Sequence, residues 1–286
     1  GNPACANQHT SVKGVSNEMS RFEKYLFLWV ALCMGIGLLL SQTIPGIGEA
    51  IDSWQVAGIS IPIGICLFLM MYPALLNLQF SEIKRLKEQP KPILMTLFAN
   101  WIIAPIVAAV LANLFLKGYE QQMVAIILLG SSPCTAMVLV WGRLAEGNQE
   151  QNVITTSVNT ITIMFLYVPV VSLLTGIQNI PINRMTLLLS ALVFIGAPLV
   201  LGIISKALII RRKGEDWFHR VYRPIVGKVA SAALLMTLII LFSLNGQVLI
   251  ENFDLLGLVS LPLLIGFAVV VGINLLLTRI FRLHYK

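Results

Sequence analysis

The chain has 286 residues, of which 57% are hydrophobic and only 12% are charged, and its mean hydropathy is +0.85. Soluble proteins carry about a quarter charged residues, so the composition excludes a soluble globular domain and indicates an integral membrane protein. The net charge of +7 does not call for a nucleic-acid partner, because basic residues in the short loops of a membrane protein set its topology.

The first eighteen residues, GNPACANQHTSVKGVSNE, are polar and lack the apolar core of a signal peptide. We predict that residues 1–20 form a disordered tail, with Met19 as a candidate translation start. The chain has four cysteines, one in this tail and three in apolar runs: Cys5, Cys33, Cys66 and Cys134. Because they form no CxxC pair, neither a disulfide framework nor a zinc site is predicted.

Eight apolar runs follow along the chain, each near the length of about 20 residues that a membrane-spanning helix requires. Their predicted bounds are 25–44, 59–78, 93–116, 122–141, 153–175, 185–208, 225–246 and 255–278. Short polar loops separate them and leave no room for a soluble domain. The sequence therefore predicts an all-α polytopic helix bundle with eight transmembrane segments.

The basic residues lie almost entirely on one side of these segments. All Lys and Arg residues except Lys117 and Arg184 fall in the N-terminal stretch, in the second, fourth and sixth loops, or in the C-terminal tail, with Lys206 and Lys228 counted with the sixth loop because they lie at the segment ends that flank it. Cytoplasmic loops carry this excess, so we predict a multi-pass protein of a bacterial plasma membrane with a cytoplasmic N-terminus. All thirteen acidic residues also fall outside the apolar runs, which leaves no carboxylate in the bilayer for a proton relay.

The fourth segment is interrupted by the sequence GSSPCTAMVLVWG, residues 130–142. Pro133 lacks a backbone N–H, clashes with the carbonyl of Leu129, and pushes Ser132 out of helical geometry. We predict two half-helices, 122–130 and 133–142, with Ser132 as the N-cap and Pro133 at the first helical position. A simple proline kink, with the serines bonded back to the backbone, is the alternative at this point.

A helix N-terminus near the middle of the bilayer offers free N–H groups and a partial positive charge, and transporters place broken helices of this kind at their substrate sites. Cys134 would lie in the first turn of the second half-helix. A thiol selects soft ligands over sodium or calcium. We therefore interpret Cys134 as a candidate ligand, and Cys33 and Cys66 as small buried hydrophobes.

Polar side chains in three neighbouring segments are predicted at a similar depth. Asn100 and Trp101, with Pro105, interrupt segment three; Asn159 lies in segment five, and Tyr72 in segment two. Each of them taken singly is also explained by polar packing between helices. Their gathering around the broken segment makes them candidates for the lining of a binding site.

The stretch SSPCTAMVLVWGRLAEGN, the preceding FANWIIAP, the FLMMYPALL of segment two and the opening MSRFEKYLFLWVAL resemble the arsenite efflux permeases of the arsenical-resistance-3 type. These belong to the bile acid/arsenite/riboflavin transporter superfamily, and the resemblance runs from about residue 19 to the end. It implies export of arsenite, sometimes antimonite, in exchange for protons, without a cofactor. The family's functional cysteine matches Cys134, and its Asn-Trp pair matches Asn100 and Trp101.

The chemistry of arsenite suits these residues. Arsenite is neutral and rich in hydroxyl groups at neutral pH, so Ser131, Ser132 and Thr135 could bond its oxygens while Cys134 ligates the As(III) centre. A single thiol would hold the metalloid weakly enough for release.

The resemblance also implies ten helices in two inverted five-helix repeats, each with a broken fourth helix. We predict a first repeat at 21–178 and an incomplete second repeat at 185–286. A full second repeat would extend beyond Lys286, so we expect the chain to be incomplete, lacking segments nine and ten and the intramembrane glutamate of the family.

Three other classes of protein are alternatives to an arsenite exporter. A sodium-coupled organic anion transporter of the same superfamily would have no use for the thiol, and a truncated, non-transporting membrane protein is a further alternative. A membrane enzyme with Cys134 as nucleophile would need a histidine or an acid within the membrane, but His9, His219 and His284 all lie outside the apolar segments. We therefore predict no enzymatic activity. The sequence does not indicate an oligomeric state.

Overall fold

A computed structural model describes residues 21–44, 46–56, 59–76, 90–134, 138, 141–142 and 145–281. The predicted tail, residues 1–20, lies outside these described residues. Apart from one short strand pair, the regular elements of the described chain are helices.

The first part of the described chain contains six helices and the strand pair. A helical turn at Arg21–Lys24 precedes α1 (Leu26–Thr43), α2 (Ile47–Asp52), the antiparallel two-residue strands β1 (Gln55–Val56) and β2 (Ile59–Ser60), α3 (Ile61–Leu76), α4 (Pro90–Phe98, a π-helical turn at Ala99–Ile103, then Ala104–Phe115), α5 (Glu120–Gly130) and α6 (Gln149–Ile177).

Three long helices complete the described chain. They are α7 (Arg184–Ala191, a π-helical turn at Leu192–Gly196, then Ala197–Lys213), α8 (Glu215–Trp217, a π-helical turn at Phe218–Tyr222, then Arg223–Glu251) and α9 (Phe253–Ile280). They correspond to predicted segments six, seven and eight.

Six helices among the described residues are long and apolar enough to cross a membrane, namely Leu26–Thr43, Pro90–Phe115, Gln151–Ile177, Arg184–Lys213, Glu215–Glu251 and Phe253–Ile280. Predicted segments two and four contain shorter apolar helices, Ile61–Pro73 and Glu120–Gly130. Segment four falls short because its helix ends where the proline-containing sequence begins. Among the described residues, the structure thus has six full-length spans and two shorter apolar helices, and the count of eight transmembrane segments stays a prediction.

One group of helices consists of α1, α3, α7 and α8. Helix α1 packs along α8, and α3 packs against both α8 and α7. The contact between α1 and α8 is close because it is made at glycine: a Cβ placed on Gly37 would lie 2.6 Å from the Cβ of Phe242. The Oγ of Ser243 donates to the carbonyl of Gly37 at 3.3 Å. Small residues and hydroxyl groups are the usual means by which membrane helices approach each other.

The second group consists of α4, α5, α6 and α9, and it carries the interrupted segment. Helices α4 and α5 share a buried apolar cluster that includes Ala108, Ala112 and Ile127. A Cβ on Gly130, the last residue of α5, would overlap the Cβ of Ala108. This contact holds the end of α5 against α4 and so positions the chain that follows it.

Candidate functional site

The fourth segment is interrupted directly after Gly130. Residues 131–134 are not helical, in agreement with the predicted end of the first half-helix at residue 130. The N–H of Ser131 donates to Ile127 at 3.0 Å, and the N–H of Ser132 donates to Leu129 at 3.3 Å. Pro133 cannot continue the pattern because it has no N–H, so α5 ends here.

The second half-helix begins later than we predicted. Pro133 and Cys134 are not helical, whereas Val138, Trp141 and Gly142 are. Ser131 and Ser132 still donate their N–H groups back into α5, so Ser132 closes α5 instead of capping the next helix. Cys134 therefore lies in the non-helical stretch and not in a first helical turn. Half of the predicted half-helix 133–142, including Thr135, lies outside the described residues.

Tyr167 of α6 supplies a hydrogen-bond donor to a backbone carbonyl at the end of α5. In an unbroken helix the carbonyl of Leu128 would accept the N–H of Ser132, which here donates to Leu129. The Tyr167 hydroxyl donates to the Leu128 carbonyl instead, at 3.4 Å. Backbone groups freed at membrane depth need such protein partners. Tyr167 was not among the predicted site residues, because its partner is 39 positions away and no local sequence pattern connects the two.

A second hydrogen bond ties the chain beyond the break to α6, because the side-chain amide of Asn152 donates to the carbonyl of Val138 at 3.0 Å. Tyr167 and Asn152 are separated by 15 residues, or ~22 Å of helix, and Asn159 lies about midway between them. Asn159 is buried, with 4% of its surface exposed. Its Oδ1 has no hydrogen-bond partner among the described residues, so it is a buried acceptor at the level of the break.

Trp101 is joined to Asn159 through Thr162. The buried Trp101 ring donates from Nε1 to the Thr162 hydroxyl at 3.1 Å, and that hydroxyl donates to the backbone carbonyl of Asn159 at 3.0 Å. Trp101 and the half-buried Asn100 lie in the π-helical turn of α4. The predicted interruption of segment three is thus a π-turn before Pro105 and not a break, and turns of this type are frequent at functional sites.

The side chains of the interrupted stretch differ sharply in exposure. Ser131 is completely buried, and its Oγ has no hydrogen-bond partner in the described part of the chain. Ser132 is exposed. Cys134 is also exposed, whereas Cys33 and Cys66 are buried. Of the cysteines that the structure describes, Cys134 is therefore the one that is not buried by protein.

Tyr72 lies in the other helix group. Its hydroxyl is hydrogen-bonded to the Ser205 hydroxyl of α7 and, at 2.7 Å, to the Tyr222 hydroxyl of α8. The structure therefore brings Trp101 and Asn159 together and places Ser131, Ser132 and Cys134 in one stretch, but it does not place Tyr72 with either set. A role for Tyr72 in substrate binding stays a prediction.

Comparison with known proteins bears on the same region. The Sodium Bile acid symporter family matches residues 64–252, which include the π-turn of α4 and the interrupted segment. The chain is 36% identical to the uncharacterized transporter slr0944 of Synechocystis sp., over 94% of this chain and 75% of that protein. It is 35% identical to the arsenical-resistance protein Acr3 of Alkaliphilus metalliredigens, over 85% of this chain and 71% of that protein. The Acr3 of Corynebacterium glutamicum is 27% identical over 96% of this chain and 77% of its own length.

Proposed function

Because the chain belongs to the sodium bile acid symporter family, a family of membrane transporters, we propose that it exports arsenite across the plasma membrane in exchange for protons. The proposal extends to antimonite, whose chemistry is similar. It is supported by the similarity to two proteins named for arsenical resistance. The one-sided distribution of Lys and Arg residues supports a cytoplasmic N-terminus.

The exposed thiol of Cys134 is the observation that carries the proposal. It lies in a non-helical stretch of an apolar segment, where the chain offers a soft ligand to a thiophilic solute. The Cys134 sulfur would form a bond to arsenic and displace one of its hydroxyl groups, which leaves as water with the thiol proton. Among the described residues, no three His, Cys, Asp or Glu side chains come together as a metal site. One thiol suits a substrate that must be released.

Two buried oxygen atoms in this region suit the hydroxyl groups of the same solute. The Oγ of Ser131 and the Oδ1 of Asn159 have no hydrogen-bond partner in the described structure, and buried polar groups are normally paired. We assign both to the arsenite hydroxyl groups, together with Ser132 and Thr135. Asn100 and Trp101 would form the wall on the side of α4.

The packing of the helices supports two inverted repeats, at 21–178 and 185–286. In such an arrangement α1 corresponds to α7, α3 to α8, and α4 to α9. Helix α1 packs against α8, and α3 packs against α7. When each helix is replaced by its counterpart in the other repeat, the first of these contacts becomes the second, as the proposed symmetry requires. Helix α4 packs against α9. Because these two helices are each other's counterparts, their contact is also expected from the proposed symmetry.

Arsenite uptake into everted membrane vesicles tests the proposal. The parent chain is compared with Cys134→Ser, and Cys33→Ser and Cys66→Ser serve as controls because both of those thiols are buried. We expect uptake that depends on a pH gradient, that falls at least about tenfold (some 1.4 kcal/mol) in Cys134→Ser, and that is kept in both controls. Full transport by Cys134→Ser would refute the role of the thiol. Uptake that follows a sodium gradient instead would favour the sodium-coupled alternative.

A further inference from the structure

The corner where α7 ends and α8 begins is strongly basic. We call residues 211–228 the α7–α8 corner. Its charged side chains are six basic and two acidic ones: Arg211, Arg212, Lys213, Arg220, Arg223, Lys228, Glu215 and Asp216. The last turn of α7 ends in Arg211, Arg212 and Lys213, where cations also interact favourably with the helix dipole. The excess of four positive charges attracts an anion.

Three guanidinium groups of this corner are available to a partner. Arg211, Arg212 and Arg220 are exposed, and none of the three forms an ion pair with a carboxylate among the described residues. Of the two carboxylates of this corner, that of Glu215 lies near His219, with 3.8 Å between its Oε1 and the imidazole Nε2. These three arginines are thus not paired with a carboxylate within the described part of the chain.

The corner is also held in a fixed shape. Phe218 is buried, with 1% exposed, and the ammonium group of Lys206 lies 5.9 Å from the centre of its ring. The ammonium group of Lys213 lies 6.0 Å from the ring of Trp217, which stacks on Tyr222. The Tyr222 hydroxyl then bonds to Tyr72 of α3. Three helices therefore hold the backbone of the corner in place, so that binding has to order the exposed arginine side chains but not the backbone that carries them.

A stripe of exposed apolar residues runs along α8 beside these charges. Its members follow one another at intervals of four: Trp217, Val221, Ile225 and Val229. Arg220 and Lys228 follow Trp217 and Ile225 by three positions, which places each of them next to the stripe on the helix surface. The helix from Glu215 to Glu251 has 37 residues, or ~55 Å. This exceeds the ~30 Å hydrocarbon layer of a bilayer, so the stripe passes from the headgroup layer into the hydrocarbon.

We propose that the α7–α8 corner binds an anionic phospholipid. Guanidinium groups of Arg211, Arg212 and Arg220 contact the headgroup phosphate, with which guanidinium forms strong paired hydrogen bonds, and an acyl chain lies along the apolar stripe. The stripe favours a lipid over free phosphate, because inorganic phosphate would leave it uncovered. Basic clusters that directly follow a membrane helix bind anionic headgroups in this way. The proposal is independent of arsenite transport.

Native mass spectrometry of the purified full chain with phosphatidylglycerol or phosphatidylcholine tests the proposal. The variant Arg211→Gln/Arg212→Gln/Arg220→Gln is compared with Lys24→Gln/Lys91→Gln/Arg279→Gln, which removes three exposed charges elsewhere. We expect the parent and the second variant to prefer phosphatidylglycerol. The first variant should lose about fivefold in affinity per charge, or about a hundredfold in all.

Two further sets of variants distinguish lipid binding at this site from nonspecific electrostatic attraction and from misfolding of the variants. Arg211→Lys/Arg212→Lys/Arg220→Lys keeps the charge but loses the paired hydrogen bonds of guanidinium, so it should bind more weakly than the parent and more tightly than the first glutamine triple. Val221→Ser/Ile225→Ser should weaken lipid binding without a change of charge. Equal losses in both glutamine triples would overturn the proposal. So would equal affinity for the two lipids in the parent chain, or displacement of phosphatidylglycerol by inorganic phosphate from the parent and the stripe variant alike.

Discussion

The hydroxyl of Tyr167 donates to the carbonyl oxygen of Leu128 at 3.4 Å and thereby supplies the donor that the end of α5 lacks. Tyr167→Phe keeps the ring and removes this bond. We expect the free energy of unfolding to fall by about 1 kcal/mol, the usual net contribution of one hydrogen bond, and arsenite transport to fall with it because the break loses its support. Thermal unfolding in detergent and vesicle uptake measure the two effects.

Tyr119→Phe is the matched control for this substitution, because Tyr119 is exposed and lies just before α5. Its variant should keep both stability and transport. Equal behaviour of the two Tyr→Phe variants would mean that the Tyr167 hydroxyl does not support the break.

Gly130→Ala tests the close contact between α5 and α4. The added methyl would overlap the Cβ of Ala108, and overpacking of this kind costs about 1–3 kcal/mol. Ala108→Gly should restore part of the loss when combined with it, because the two residues are in contact. Gly176→Ala is the control, since nothing lies within 4 Å of the added carbon there. Denaturation measures the free energy of unfolding of Gly130→Ala, Ala108→Gly, the double variant and Gly176→Ala. Losses of stability that simply add in the double variant would contradict the contact.

Trp101→Phe removes the indole donor and leaves an aromatic ring in the π-turn of α4. The hydrogen bond to Thr162 at 3.1 Å is lost, and with it the connection between Trp101 and Asn159. We expect the KM for arsenite to rise about fivefold, which corresponds to roughly 1 kcal/mol, with a smaller change in maximal rate. Trp29→Phe, at an exposed position, should leave the KM as it is. A rise shared by both variants would point to a general loss of folded protein.

Asn159→Leu separates function from stability. The Oδ1 of Asn159 has no partner among the described residues, so replacing the amide with an apolar group of similar size should leave the free energy of unfolding unchanged or raise it. Transport should nevertheless fall strongly, because the proposed acceptor for an arsenite hydroxyl is gone. Unfolding and uptake are measured on the same preparation. A variant that transports normally would remove Asn159 from the binding site.

The sequence alone indicated the membrane class, the approximate position of each apolar segment and the end of the first half-helix at residue 130. These properties depend on local causes: the hydropathy of about 20 consecutive residues, and the missing N–H of Pro133, whose effect reaches only four residues back. The observed end of α5 at Gly130 agrees with the predicted one to the residue because the effect of proline has this short range. The later start of the second helix was not predicted. Local sequence did not decide whether Ser131 and Ser132 close the first helix, with their N–H groups bonded back into it, or whether Ser132 begins the second helix as its N-cap.

The arrangement of helices was decided only by tertiary structure. Tyr72 lies two residues from Met70, in an apolar segment that looks like its neighbours, yet its hydroxyl bonds to Ser205 and Tyr222, more than a hundred positions away. Trp101 meets Thr162 across 61 positions, and Tyr167 meets Leu128 across 39. Every apolar helix face can pack against many others, so hydrophobicity selects the membrane but not the partner. Close contacts at glycines and single hydrogen bonds between helices make that choice, and they exist only once the helices have come together.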